Sequence, residues 1–215
     1  MARLLLGCLL LCALASPGMA ALSEGDGAPD FQAQASLAGK AFNFSLKEAL
    51  KKGPVVVYFF PAAYTGTCNI QAHEFAANYE KFVAAGATVV GVSLDSITRL
   101  NAFSADPDSC AGKVAVASDS DGRISKSYGL RVEQPPPGVT DTQGYAIEHG
   151  LVEQVTFVVT ADGKIAATIR GDSPSSNVAK ALEAVQRVAA KQVTRAPGDS
   201  RRYRKTGLTM VLSRF

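Results

Sequence analysis

Apolar residues in this chain follow two kinds of pattern, short unbroken runs and longer stretches with helical spacing. The runs 54–60 and 87–93 are almost wholly apolar and rich in β-branched residues, a pattern that predicts buried strands. Between them, the stretch 67–85 repeats apolar side chains about every three to four residues, which predicts an amphipathic helix, and it stops at Gly86. This part of the chain is therefore predicted to form a strand–helix–strand unit.

The same alternation of strands and helices continues on both sides of this unit. The remaining predicted elements are a helix over 45–52 capped by Ser45, a helix over 96–105 capped by Ser96, a strand over 114–118, a helix over 122–128, strands over 153–160 and 164–170, and a helix that begins at Ser173. Serine hydroxyls satisfy free N–H groups at helix starts, and Ala161-Asp-Gly163 has the composition of a hairpin turn. The order predicts a single α/β domain whose central mixed sheet is flanked by helices.

One segment interrupts the alternation. Between Arg131 and Gly150 the chain is poor in apolar residues and contains Pro135-Pro-Pro-Gly138. This composition predicts a long loop, and loops of that length are usually functional or mobile.

The first twenty residues have the three-part layout of a secretory signal peptide. A short basic start ends at Arg3, an apolar run extends from Leu4 to Ala15, and small or helix-breaking residues precede a cleavage site after Ala20. The apolar run is shorter than the about 20 residues that a membrane-spanning helix needs. We therefore expect export to the periplasm, loss of Cys8 and Cys12 with the leader, and no stable membrane insertion.

Charge divides the rest of the chain into a domain, 21–194, and a tail, 195–215. The tail holds six of the 22 basic residues and one of the 19 acidic ones, and the leader holds one further arginine. The domain is left with 15 basic and 18 acidic residues, so it offers no basic face for nucleic acid. The tail is basic and poor in apolar residues, which predicts disorder.

The most informative single position is Cys68, at the boundary between a predicted buried strand and a predicted helix. Free N–H groups and the positive end of the helix dipole favour a thiolate there, and the hydroxyl of Thr65 lies three residues upstream. Most lone cysteines are small hydrophobes chosen for packing. A packing cysteine needs neither the threonine nor the helix start, so we favour a reactive thiol.

Pro61-Ala-Ala-Tyr-Thr-Gly-Thr-Cys68 resembles the active-site loop, P-x-x-x-T-x-x-C, of the peroxiredoxins. Four other segments resemble family landmarks in the same order: 21–31, 39–46 as a strand pair, 126–129 and 156–165. The likeness extends from about residue 22 to about residue 188. The helix pattern Cys-x-x-x-Ala-His-x-Phe is most similar to the bacterioferritin-comigratory, or Q-type, branch.

This resemblance implies a thioredoxin-like fold and a thiol-dependent peroxidase. Cys68 would be the peroxidatic nucleophile, Thr65 a hydrogen-bond donor at the sulfur, and Pro61 a shield against solvent. The implied partners are a peroxide substrate and an external thiol reductant, either a thioredoxin-like protein or a small thiol. A monomer or a homodimer is expected, with no cofactor.

Two positions depart from the family pattern. Gln154 stands where the family usually has an arginine near the cysteine, and Gln71 stands where the Q-type branch usually has a glutamate. An adjacent cation worth roughly 1.4 kcal/mol lowers a thiol pKa by about one unit. We therefore expect a less stable thiolate, unless Arg131 or Arg99 supplies the charge.

The resemblance also bears on Cys110, the second cysteine of the domain. Some members of the Q-type branch carry a resolving cysteine in or near the helix that precedes it, whereas the other common position is His73 here. We expect Cys110 to resolve the Cys68 sulfenic acid. A disulfide requires Cα atoms within about 7 Å, so this pairing would need local unwinding. The alternative is a packing cysteine in a one-cysteine enzyme that an external thiol resolves.

Two rival functions make different demands on the residues around Cys68. A thioredoxin-type disulfide oxidoreductase requires Cys-x-x-Cys, which Gln71 rules out. A binding protein that keeps the fold without the activity is favoured by Gln154 and Gln71, and disfavoured by retention of the whole Pro61-to-Cys68 pattern. The two histidines, His73 and His149, have no metal-ligand spacing, so no metal site is expected.

Overall fold

The computed structural model describes residues 21–195. The predicted signal peptide, 1–20, and the predicted tail beyond residue 195 lie outside the described residues. No helix within the described range is both long and apolar enough to cross a membrane.

Strands and helices alternate along most of the described chain. The strands are β1 (Gln32–Leu37), β2 (Lys40–Ser45), β3 (Val55–Phe59), β4 (Thr88–Ser93), β5 (Ala115–Ser118), β6 (Val132–Glu133), β7 (Leu151–Val152), β8 (Val155–Val159) and β9 (Ile165–Arg170). The helices are α1 (Leu46–Leu50), α2 (Gly66–Ala77), α3 (Tyr79–Ala84), α4 (Ile97–Ala105), α5 (Arg123–Ser127) and α6 (Pro174–Arg195).

Seven strands form one mixed sheet in the order β2-β1-β5-β4-β3-β8-β9. The central strands β3, β4 and β5 are parallel, and β1, β8 and β9 join them in antiparallel pairs. Parallel strands need a covering on both faces, which explains the continuous apolar runs of β3 and β4. The predicted thioredoxin-like α/β fold, with a central mixed sheet in a single domain, is confirmed.

Each face of the sheet supports one cluster of buried residues. The first cluster packs β3 and β4 against α2, α3, α4 and α6, and it includes both Cys68 and Cys110. The second packs the opposite face against α1 and the segment that follows α5. The two cysteines therefore share one side of the sheet.

A glycine within β4 makes room for a tyrosine on β3. Gly91 is the parallel partner of Tyr58, and a Cβ at Gly91 would come within 2.5 Å of the Tyr58 ring. Glycine in a strand interior often marks such a close approach. The ring also stacks on Phe60 and Phe75, with centroids 5.6 and 4.5 Å away, so the tyrosine is fixed in the first cluster.

Two predicted elements differ from the observed ones. The helix predicted over 67–85 is divided at Asn78, whose side-chain Nδ2 donates to the carbonyl of Glu74 at 2.9 Å. This local bond competes with helical continuation, and α3 begins at the next residue. The loop predicted over 131–150 includes β6, which pairs with β7 in a separate two-stranded sheet.

Candidate active site

Cys68 lies where the sequence places it, in the first turn of α2. The chain leaves the central strand β3 at Phe59, passes through half-buried Pro61, and enters the helix at Gly66 with Thr65 as N-cap. The cysteine side chain is 1 % exposed. A helix start beneath a buried sulfur directs free backbone N–H groups towards it, and this geometry favours a negative charge.

Burial and local donors act on this thiol in opposite directions. Burial raises the pKa of Cys68, while hydrogen bonds with the Thr65 hydroxyl, the backbone N–H of Ala62 and the Thr67 hydroxyl lower it. The negative charge of Asp95 raises it further, and the net pKa lies above the ordinary cysteine value. The surrounding loop therefore provides donors to a sulfur that has lost its hydration.

The hydroxyl of Thr65 has two possible acceptors. In this structure it donates to the carbonyl of Ala62 at 2.8 Å. A hydroxyl carries one hydrogen, which rotates to suit its surroundings. Thr65 can therefore bind the loop while Cys68 is a thiol and turn its hydrogen to the sulfur when the thiolate forms.

Tyr64, within the same loop, has a left-handed backbone with φ at 59°, a conformation that a bulky residue rarely adopts. Two bonds from Thr142 hold its carbonyl, from the backbone N–H at 2.8 Å and from the hydroxyl at 2.7 Å. The guanidinium of Arg99 lies 4.2 Å from the centre of its ring and pairs with Asp141. The segment predicted as a long loop therefore supports the turn that leads to Cys68.

Asp95 holds Ala63, the residue that precedes Tyr64, and no local sequence pattern indicates this role. Its Oδ2 accepts the backbone N–H of Ala63 and the hydroxyl of Ser93, each at 2.8 Å. Its Oδ1 lies 3.1 Å from Nε2 of His149. The Asp95 side chain is buried, so it anchors the turn that leads to Cys68 from within the protein.

The two glutamines that depart from the family pattern contact each other. Nε2 of Gln154 donates to Oε1 of Gln71 at 2.5 Å, one helical turn beyond the cysteine. Nε2 of Gln71 donates to Oδ1 of Asn177 at 3.0 Å, and the Thr156 hydroxyl donates to the same oxygen at 2.7 Å. The two departures from the family pattern therefore belong to one neutral hydrogen-bonded chain.

Cys110 is fully buried in the turn between α4 and β5. Burial raises its pKa to about 12, opposed by the hydroxyl of Tyr58 and assisted by the charge of Asp106. Among the residues that the structure describes, the Tyr58 hydroxyl makes no hydrogen bond of normal geometry. Burial raises the pKa of Tyr58, and the Cys110 and Cys68 thiols raise it further. Both cysteines are free thiols.

Other candidate residues lie elsewhere or have partners. Arg131 is 73 % exposed and pairs with Glu153 at 3.6 Å, and His73 faces solvent. The described residues include no group of three or more His, Cys, Asp or Glu side chains that could hold a metal ion. An open groove of about 670 Å³ beside Ala63 is lined by Asp95, Arg99 and His149, among others.

Comparison with known proteins gives a consistent result. The AhpC/TSA family profile matches residues 25–168. Peroxiredoxin bcp of Helicobacter pylori is 29 % identical over 170 residues, which cover 78 % of this chain and 100 % of that protein. Peroxiredoxin Q of Suaeda salsa chloroplasts is 38 % identical over 112 residues, covering 52 % of this chain and 49 % of that protein.

Solved structures share the architecture. The crystal structure of peroxidoxin BcpB from Mycobacterium tuberculosis has a TM-score of 0.64 and 26 % identity, covering 77 % of this chain and 97 % of that one. Peroxiredoxin Q from Xanthomonas campestris has a TM-score of 0.56 and 22 % identity, covering 73 % of this chain and 90 % of that one. At this lower identity, the similarity to the Xanthomonas campestris structure concerns the fold alone.

Proposed function

This chain belongs to the AhpC/TSA family as a bacterioferritin-comigratory, Q-type peroxiredoxin, and on that premise we propose that Cys68 is its peroxidatic cysteine. The protein is a thiol-dependent peroxidase. One observation carries the assignment to Cys68: a buried sulfur at a helix start faces two hydroxyls and a backbone N–H. Cys110 has one hydroxyl beside it and no helix start.

In the first chemical step, the Cys68 thiolate attacks one oxygen of the peroxide ROOH. An S–O bond forms, the O–O bond breaks, and the RO⁻ leaving group takes a proton to become ROH. The sulfur is oxidised to a sulfenic acid and the peroxide is reduced. The donors at Thr65 and at the Ala62 N–H stabilise the thiolate and polarise the bound peroxide, and Pro61 limits the access of water.

The sulfenic acid is resolved by Cys110. An S–S bond forms between the two sulfurs, the S–O bond breaks, and the oxygen leaves as water with the thiol proton. Two features support this pairing: both cysteines border one core cluster, and the Tyr58 hydroxyl lies within the electrostatic reach of both. Cys110 is protonated while it remains buried, because its pKa is about 12. The two buried sulfurs therefore react only after a local rearrangement, and we propose that this rearrangement is the opening of the first turn of α2, which carries Cys68.

A specific feature of α2 supports such opening. Thr65 occupies the N-cap position, but its hydroxyl accepts no hydrogen bond from a helical N–H group. The hydroxyl donates instead to the carbonyl of Ala62, outside the helix. A helix start without a side-chain cap is less stable, by about 1 kcal/mol, and local opening of such segments is common. An external thiol, from a thioredoxin-like protein or a small molecule, would then reduce the disulfide.

A one-cysteine mechanism is the second candidate, and the burial of Cys110 favours it. In that case an external thiol attacks the Cys68 sulfenic acid directly.

The predicted leader supports action in the periplasm, and we expect the protein to act there as a monomer or a homodimer. Light scattering of the purified mature protein would decide between the two assemblies.

Peptide mass mapping without reduction tests the proposal. Protein treated with one equivalent of peroxide should yield a Cys68–Cys110 linked peptide, and addition of dimedone before resolution should label Cys68. A dimedone adduct on Cys68 beside a free Cys110 would select the one-cysteine mechanism. Failure of any peroxide to modify Cys68 would reject its role as the nucleophile.

A further inference from the structure

The imidazole of His149 lies between a backbone carbonyl oxygen and a carboxylate oxygen. Its Nδ1 is 2.9 Å from the carbonyl oxygen of Gly150, and its Nε2 is 3.1 Å from Oδ1 of Asp95. A neutral imidazole has a single N–H, whereas the imidazolium has two. With a carboxylate at one nitrogen and a carbonyl at the other, both contacts are satisfied only by the protonated ring.

Burial and neighbouring groups agree with that assignment. The His149 side chain is 25 % exposed and that of Asp95 is 6 % exposed. Burial lowers the pKa of His149, but the bonds to Asp95 and to the Gly150 carbonyl, with the charge of Asp95, outweigh it and leave the pKa raised. The cationic form is present below this raised pKa and is lost as the pH rises through it.

The backbone beside His149 is fixed by close packing. A Cβ at Gly150 would come within 2.4 Å of Val132 Cγ1 and 3.5 Å of Leu94 Cδ2. A side chain at this position would displace Val132, so glycine allows the chain to pass close to the strand β6. The carbonyl that accepts from Nδ1 is therefore held in place, and the ring is held towards Asp95.

Asp95 connects this histidine to the catalytic thiol. The carboxylate accepts the backbone N–H of Ala63 at 2.8 Å, and the backbone of the preceding residue, Ala62, lowers the pKa of Cys68. The same carboxylate disfavours the thiolate through its negative charge. A positive charge on His149 would hold the Asp95 carboxylate in its position against Ala63, and it would offset the negative charge of that carboxylate.

Few other charges face the histidine. The groove that it lines also contains Glu148, Arg99 and Asp141. Arg99 and Asp141 pair with each other, so their charges offset, and Glu148 is exposed to solvent. From the β4–α4 side Asp95 faces the ring, while Ser96 and Ser120 in the groove are uncharged.

We propose that His149 is a positioning residue for the Cys68 thiolate, acting through Asp95 and the backbone of Ala63. The inference deepens the proposed function, because it rests on Cys68 as the reacting group. Its consequence is that thiolate formation at Cys68 is coupled to a histidine whose protonation the buffer controls.

The test is the rate of Cys68 alkylation by iodoacetamide, followed by peptide mass spectrometry across the pH range in which histidine and cysteine titrate. The unmodified protein should show two inflections, one from the thiol and one from His149. In His149→Gln the histidine inflection should vanish, and the Cys68 rate at the low-pH end should fall about threefold or more, which corresponds to about half a pKa unit.

His73→Gln is the matched control, because His73 is the other histidine of the chain and is exposed. Its profile should superimpose on that of the unmodified protein. A His149→Gln profile identical to the unmodified one, or the same shift in His73→Gln, would overturn the proposal.

A second variant keeps the test decisive should His149→Gln fold poorly. Asp95→Asn keeps the shape of the side chain and removes its charge, so it should lower the pKa of Cys68 and abolish the histidine inflection. In that background, His149→Gln should change the alkylation rate by less than in the native one, and an equal effect in both would refute coupling through the carboxylate. Dimedone trapping reports separately on the peroxidatic role, because it needs peroxide and alkylation does not.

Discussion

Cys68 and Cys110 lie in the same core cluster and are almost equally buried, at 1 % and 0 % exposure, yet their surroundings differ. The first has the hydroxyls of two threonines and a backbone N–H beside it, at a helix start. The second has the hydroxyl of Tyr58 and the repelling charge of Asp106. Burial is the largest cause that raises the pKa of each thiol.

The comparison teaches that reactivity in this fold depends on what replaces the lost water. A desolvated thiol is inert unless fixed donors compensate for its hydration. The loop before α2 supplies these donors to Cys68, whereas the turn before β5 supplies few to Cys110.

Replacing Cys68 by serine should have the largest effect. A serine hydroxyl does not form an anion at neutral pH, so peroxide consumption should fall to the uncatalysed rate in a coupled assay. Retention of native turnover in Cys68→Ser would contradict the assignment of the nucleophile. Cys110→Ser serves as the control for the first turnover only, since it leaves Cys68 and its donors in place and should still consume one equivalent of peroxide.

Cys110→Ser should separate the two chemical steps. We expect the first equivalent of peroxide to be consumed at the native rate, because Cys68 and its donors are untouched. The intramolecular disulfide should be absent, and Cys68 should accumulate as sulfenic and then sulfinic acid under excess peroxide. Stopped-flow single turnover and intact mass would report both, and native steady-state turnover would instead support the one-cysteine mechanism.

Thr65→Val should weaken the thiolate without removing it. A hydrogen bond to a charged group contributes about 1.5–3 kcal/mol, so the peroxide rate should fall roughly 10- to 100-fold. The loss raises the pKa of Cys68, so the deficit should be greatest at low pH and shrink as the pH rises. Thr65→Ser keeps the hydroxyl and should restore most of the rate. A valine variant with the native pH profile would show that the hydroxyl donates only to Ala62.

Gln154→Arg should have the smallest effect and should make Cys68 more reactive. The new cation would lie beside Gln71, one helical turn from the sulfur, and should lower the pKa of Cys68 by about one unit. Gln154→Met is the neutral control, which removes the bond to Gln71 without adding charge. Adding Gln71→Glu to the arginine variant should return the pKa towards its native value, and an unchanged titration in all three would argue that this position is too remote.

Much of the fold was accessible from local sequence patterns. Ser45 and Ser96 cap α1 and α4 as their positions indicate, accepting from Glu48 and Arg99, and the buried runs of β3 and β4 follow from unbroken apolar residues. These features depend on neighbours within one or two turns of the chain. The thiol and the helix start at Cys68 could be predicted for the same reason.

The supports of the catalytic loop could not be predicted in this way. Thr142 holds Tyr64 across 78 positions and Asp95 holds Ala63 across 32, and no periodicity records such pairings. His149 gave no signal because its partners are a carbonyl and a carboxylate brought together by the fold. The division of the predicted helix at Asn78 was also missed, since its side-chain bond to Glu74 competes with the helix without breaking the apolar spacing.

The left-handed backbone of Tyr64 has a consequence for protein engineering. Its conformation is costly for a bulky residue, by about 1–3 kcal/mol, and the structure maintains it with Thr142 and Arg99 from two other segments. The eight residues from Pro61 to Cys68 therefore do not determine their own conformation without these two contacts. A graft of that octapeptide onto a foreign strand–helix junction would relax into another shape unless both supports travelled with it.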